Sequence, residues 1–115
     1  MNNRPTLPEL RRNARVSLGI DYRLTIGDEV FVGVTGNVSL GGVSLATSEP
    51  RLDSSHAGRM GSLLLDLDGE TFESECRIVY VGNPKATRMA LAGINFIGVS
   101  DEAREKLLRH MVRQL

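Results

Sequence analysis

Cysteine occurs once in this 115-residue chain, histidine twice, and the net charge is zero. Cys76 therefore has no partner for an internal disulfide. His56 and His110 have no Cys or His at metal-ligand spacing, and no nucleophile–base pair is legible, so neither an enzyme nor a resident metal or cofactor is expected. With 14 acidic residues matching 14 basic ones, no whole-molecule field draws in DNA or an anionic membrane. The aromatic side chains are Tyr22, Phe31, Phe72, Tyr80 and Phe96, too few to line a basic groove. A small barrel that binds single-stranded nucleic acid is accordingly a remote reading. Apolar runs such as 63–65 and 89–92 are far too short to cross a bilayer, and residues 1–10 lack the apolar stretch of a signal peptide. The expectation is a cytoplasmic protein without membrane insertion.

The length fits one compact domain over residues 1–115. Residues 1–9 are polar, with Pro5 and Pro8, which predicts a flexible arm over 1–10 that orders only on binding. From Val16 the apolar residues alternate as Val16, Leu18, Ile20, Tyr22 and Leu24, the period of a strand with one buried face. Gly27-Asp28 reads as a turn. Segments 31–38 and 42–47, rich in β-branched residues, read as strands around a Ser39-Leu40-Gly41 corner. Residues 48–59 are polar and read as a loop. Strands resume at 63–67 and 71–81 around Asp68-Gly69, a dipeptide suited to a type I′ hairpin. Gly82-Asn83-Pro84 breaks the pattern, and 89–97 supplies a sixth strand. Six antiparallel strands in so short a chain point to a mainly β fold closed into a barrel over 16–97, which removes exposed edges.

A closing helix over 100–115 follows, with Ser100 as N-cap and Asp101 and Glu102 in its first turn. Ala103, Leu107, Leu108, Met111 and Leu115 form the stripe that docks on the barrel, and His110 is expected on the surface. Cys76, despite its neighbour Arg77, is expected to be an inert strand thiol.

Two short patterns carry the chemistry. All but Lys85 and Lys106 of the 14 basic residues are arginine, and the first cluster is Arg11-Arg12-Asn13-Ala14-Arg15. An Arg fork makes two-point contacts with the O6 and N7 edge of guanine or with a phosphate. The second pattern is Asn37-Val38-Ser39-Leu40-Gly41-Gly42. Asn37 can donate and accept at a guanine edge, Ser39 can donate to a phosphate, and Gly41 and Gly42 permit φ > 0 and close backbone approach. Arg12 could stack on a purine as a lid. Taken singly, the arginines read as a solvated cluster, Asn37 and Ser39 as a self-bonded turn, and Gly41-Gly42 as a bulge.

Together the segments resemble the PilZ family of small bacterial β-barrel receptors for cyclic di-GMP, which carries Arg-x-x-x-Arg before the barrel and Asp/Asn-x-Ser-x-x-Gly at a strand turn. Arg11 and Arg15, then Asn37, Ser39 and Gly42, match, and Gly93-Ile94-Asn95-Phe96 stands where the family has a Gly-x-x-Phe-like segment. Each pattern recurs as a decoy, at Arg109 and Arg113 and at residues 53–58, but without the order and flanks of the family. The resemblance covers nearly the whole chain. It implies a six-stranded PilZ-like barrel with a C-terminal helix and an arginine-bearing arm, and a cyclic di-GMP site at Arg11, Arg12, Arg15, Asn37, Ser39, Gly41 and Gly42. A downstream protein partner is implied through ordering of the arm. The alternative within the family is an adaptor that binds protein without nucleotide. Leu10, where an arginine could stack on a second ligand, favours one ligand per subunit.

Overall fold

The computed structural model describes residues 4–82 and 91–115. Strand β1 (Val16–Ser17) is followed by β2 (Asp21–Ile26), β3 (Glu29–Val38), β4 (Gly42–Leu45), β5 (Met60–Leu67), β6 (Glu70–Val81) and β7 (Ala92–Ile97). Every pairing is antiparallel, and the order β3-β2-β5-β6-β7-β4 returns to β3. Six strands thus form the closed barrel expected, with β1 as an additional strand.

That extra strand arises from a break. The alternation of residues 16–24 predicts one strand, and Ile20, Tyr22 and Leu24 are indeed buried. The ladder is interrupted at 18–20 because the Thr35 side chain, 2% exposed, replaces it there. Its hydroxyl donates to the Leu18 carbonyl at 2.6 Å and accepts from the Ile20 N–H at 2.8 Å. The backbone groups freed by the break remain satisfied. β1 then pairs with β3 through Val16↔Val38 and Ser17↔Asn37, in line with β2.

Local turn chemistry sets the hairpins. Asp68 (φ 57°) and Gly69 (φ 101°) are both left-handed between Leu67 and Glu70, as a type I′ turn requires. Gly27 (φ 59°) turns β2 into β3. β6 ends at Val81, at the expected break; residues 83–90, including the predicted start of the last strand at Met89, lie outside the described residues. Phe72, Ser74, Cys76 and Ile78 alternate inward along β6, and Phe72, Cys76 and Ile78 meet Leu63, Leu65 and Leu67 of β5 and Leu24 and Ile26 of β2 in one core.

Two α-helices complete the described residues. The arm expected over 1–10 is helical in part, since α1 spans Leu7–Arg11. Thr6 Oγ1 accepts from the Glu9 N–H at 3.3 Å while Glu9 Oε1 accepts from the Thr6 N–H at 2.9 Å, a reciprocal cap. Leu10 is fully buried and anchors this helix to the core. α2 (Asp101–Arg113) starts at Ser100, whose Oγ accepts from the Ala103 N–H at 3.1 Å. It packs on β6 and touches α1, burying Leu107, Leu108 and Met111. His110, expected at the surface, is only 4% exposed, because it falls on the flank of that buried stripe. No helix among the described residues is long and apolar enough to cross a membrane.

Candidate functional site

The segment that leaves α1 crosses the turn between β3 and β4. Arg12 caps α1, its N–H donating to the Pro8 and Glu9 carbonyls at 3.1 and 3.0 Å. Asn13 then takes φ 69°, a left-handed conformation that Asn tolerates better than most residues, and the chain reverses toward β1. This brings the Asn13 side chain to 3.5 Å from where a Cβ on Gly41 would stand.

The turn beneath is closed by its own serine. Ser39 Oγ accepts from the Gly41 and Gly42 N–H groups, each at 3.2 Å, and donates to the Gly42 carbonyl at 3.2 Å. The Ser39 N–H adds a 2.9 Å bond to the Gly42 carbonyl. The self-bonded turn is therefore real, and it fixes the corner rather than competing with it. Neither Gly41 nor Gly42 has positive φ, so the expected conformational role is corrected; their use is close approach. A Cβ on Gly42 would collide with the Ile94 carbonyl, and the Gly41 carbonyl accepts from the Phe96 N–H at 2.9 Å. Read singly, Gly41-Gly42 suggests a bulge, but the β3–β4 register shifts at 36–37, where the Asn37 N–H finds Ser44 Oγ at 2.9 Å.

A second bulge completes the site. The β6–β7 register shifts between Ile78 and Tyr80, and the additional residue, Val79, leaves two consecutive side chains exposed. Tyr80 pairs with Gly93, and its ring occupies the space where a Gly93 Cβ would stand. Asn13, Arg15, Ser39, Gly41, Tyr80 and Gly93 thus line one cleft of about 360 Å³, floored by Gly42, Val43 and residues 94–96. No described lining residue is acidic, and Arg15 supplies a guanidinium. The cleft suits a compact anionic ligand with hydrogen-bonding edges.

Of the predicted site residues, Arg15, Ser39, Gly41 and Gly42 come together here; Arg11, Arg12 and Asn37 do not line the cleft. Arg11 turns to α2, where its Nη1 lies 3.2 Å from Glu105 Oε1 with both side chains about half exposed. Sequence reasoning missed Asn13, Tyr80 and Asn95 as lining residues. Asn13 had a signal, standing between motif arginines, whereas Tyr80 is positioned by a bulge that alternation cannot show.

The decoys sit in other settings. Arg109 is 3.9 Å from Glu70, and Arg113 ends α2. Asp53 caps a 3₁₀ turn, Ser54–His56, accepting from the Ser55 hydroxyl and from the Ser55 N–H at 2.8 Å; the hydroxyl first and then the N–H hold its carboxyl below the usual carboxylate range. His56 is buried in that turn, with Nδ1 accepting from the Asp53 N–H at 3.1 Å, Nε2 3.3 Å from Glu29 Oε1, and its ring edge-on to Phe31. Cys76 is fully buried, and desolvation pushes its thiol up to about 11. Asp53, His56 and Cys76 thus hold structure.

The PilZ domain model matches residues 9–113. No curated protein matches the chain by sequence. Among solved structures, the Bacillus subtilis inhibitor of motility MotI/DgrA superposes with a TM-score of 0.71 at 15% identity over 99% of this chain, which spans 51% of that protein. The PilZ domain of CeSA from a cellulose-synthesizing bacterium gives 0.66 at 20% identity, covering 88% of this chain and 97% of the domain. A Xanthomonas campestris pathogenic protein with a tetrameric PilZ domain gives 0.53 at 20% identity, over 72% and 44% of the two chains. At such identities the superpositions establish the fold, and the family model spans nearly all of the sequence. The matched residues run from the arginine-bearing segment through the closed six-stranded barrel to the C-terminal helix, and the chain belongs to the PilZ domain family.

Proposed function

We propose that the chain is a receptor for cyclic di-GMP that passes the level of this second messenger to a downstream protein. The family is known for cyclic di-GMP receptors, and its domains are in general regulatory and binding domains. The observation that carries the reading to this chain is the convergence of Asn13 and Arg15 on Ser39, Gly41 and Gly42 in one cleft free of described carboxylates. Residues more than twenty positions apart meet there because Asn13 reverses the chain and Ser39 fixes the corner.

Each group then has a chemical task. Arg15 grips a phosphate or the O6 and N7 edge of a guanine, and Asn13 offers an amide to a base edge. Arg11 and Arg12 stand within two residues of Asn13 and join when the segment folds over the ligand. Asn37 supports the site from the bulge beneath it. Leu10 is buried, which supports one ligand per subunit rather than a stacked pair reaching position 10. The output is the altered position of the segment before β1, and it requires that ligand prefer the folded-over state, since equal affinity for both shifts nothing.

The competing reading, an adaptor that binds protein without nucleotide, draws on one observation: the Ser39 hydroxyl is already engaged in its own turn. Amide chemical shifts on titration with cyclic di-GMP separate the two. Shifts concentrated in residues 11–15, Gly41, Gly93 and Phe96, with Ser54, Ser55 and Gly58 silent, are expected. An unchanged spectrum removes the receptor reading and leaves the adaptor.

A further inference from the structure

We infer that Glu105 of α2 acts as a built-in competitor for the cyclic di-GMP site, holding Arg11 away from the cleft until ligand displaces it; this rests on the receptor reading above. The Arg11–Glu105 contact joins the end of α1 to the middle of α2 across 94 positions of sequence, at 3.2 Å. It is the ion pair that ties the arginine segment to the rest of the protein among the described residues.

Three features make it a latch rather than a strut. Both side chains are about half exposed, 54% for Arg11 and 48% for Glu105, so water and salt compete with the pair and it opens at little cost. α1 is docked independently of it, through the fully buried Leu10, so the helix does not need the ion pair to stay in place. Arg11 is also within reach of the cleft. Asn13, two residues on, lines it, and two residues span at most about 7 Å, comparable to the length of an arginine side chain. With the helix anchored, rotation of the Arg11 side chain as residues 12–15 close over the ligand is enough to move this guanidinium from carboxylate to ligand.

The competition follows from position, because a guanidinium held beside α2 by Glu105 cannot at the same time reach into the cleft. With Nη1 at Glu105 the whole guanidinium lies against α2, and an anionic ligand in the cleft offers the same fork a charge-assisted bond in a more enclosed site. Ligand binding and the α1–α2 tie then oppose each other, and by reciprocity the state of the tie sets the affinity. Glu70, which faces Arg109, and Glu102, in the first turn of α2, carry like charge but do not touch Arg11.

A double-mutant cycle read by calorimetry with cyclic di-GMP tests this. Glu105→Ala should tighten binding by about two- to fivefold, the range of an exposed pair. Arg11→Ala should weaken it, and Glu105→Ala should bring no gain in the Arg11→Ala background. Glu102→Ala, which removes an equal charge from the same helix, should leave affinity unchanged. An equal gain from Glu105→Ala in both backgrounds, or no gain in the wild type, overturns the latch while leaving the receptor reading intact. Absence of binding by the wild type and by Glu105→Ala overturns both. Should Arg11→Ala bind too weakly to titrate, a structure of the complex decides: Arg11 turned from Glu105 supports the latch, and Arg11 still at Glu105 contradicts it.

Discussion

A serine that closes its own turn makes Ser39 a structural residue as well as a candidate ligand. Removing its hydroxyl leaves the buried Gly42 N–H and the Gly41 N–H without that acceptor, so Ser39→Ala is expected to destabilise the domain by about 1–3 kcal/mol in denaturant unfolding. Loss of binding in that variant is consequently ambiguous, whereas Arg15 is exposed and Arg15→Ala should leave the unfolding midpoint unchanged. The Ser39 motif was legible in sequence, but its hydrogen bonds were not: the same three residue types serve a ligand or a corner, and only the neighbouring backbone decides. Cys76 gives a second residue-scale expectation. Burial pushes its thiol up to about 11, from an ordinary 9.0, so at pH 8 roughly a thousandth is thiolate and iodoacetamide should not label the native protein. Because the unfolded thiol ionises first, this group's contribution to stability is present below about pH 9 and is lost as pH rises toward 11. Rapid labelling of the native state at pH 8 would show that β6 does not bury this face.

Among the elements, α1 is where sequence and structure differ most. Pro5 and Pro8 predicted an irregular arm, yet proline within the first turn fits a helix, and Thr6-Leu7-Pro8-Glu9 is a capping box that could have been recognised. Hydrogen bonds from Thr6 hold the Glu9 carboxyl below its usual range. Its lowered pKa means that the cap is fully formed above the ordinary carboxylate range and is lost as pH falls through the folded value. The Thr6 amide resonance should therefore move, and its exchange accelerate, only at that acid end. Leu10→Ala should release α1 while the barrel stays folded, seen as lost exchange protection at residues 10–12 with protection retained in β5 and β6; uniform loss would mean that α1 is integral to the core. The helix α2 was legible because its cap, acidic first turn and apolar stripe agree. The burial of His110 was not, because a residue flanking a stripe follows the shape of the surface it meets.

At the scale of the molecule, barrel closure was legible from strand count, while the register irregularities that build the site were not. Alternation predicts which residues face inward, but the additional residue at Val79 and the shift at 36–37 depend on which strands become neighbours. The cleft therefore joins what the motifs announce, Arg15 and Ser39, to what topology supplies, Tyr80 and Gly93. The measurement that tests the account most directly is calorimetric titration with cyclic di-GMP of the wild type, Arg15→Ala and the decoy variant Ser55→Ala. One ligand per subunit in the wild type and Ser55→Ala, with at least a tenfold loss in Arg15→Ala, on the order of the 1.5–3 kcal/mol of a hydrogen bond to a charged group, is the predicted result. No heat from the wild type, or equal affinity in Arg15→Ala, would contradict it.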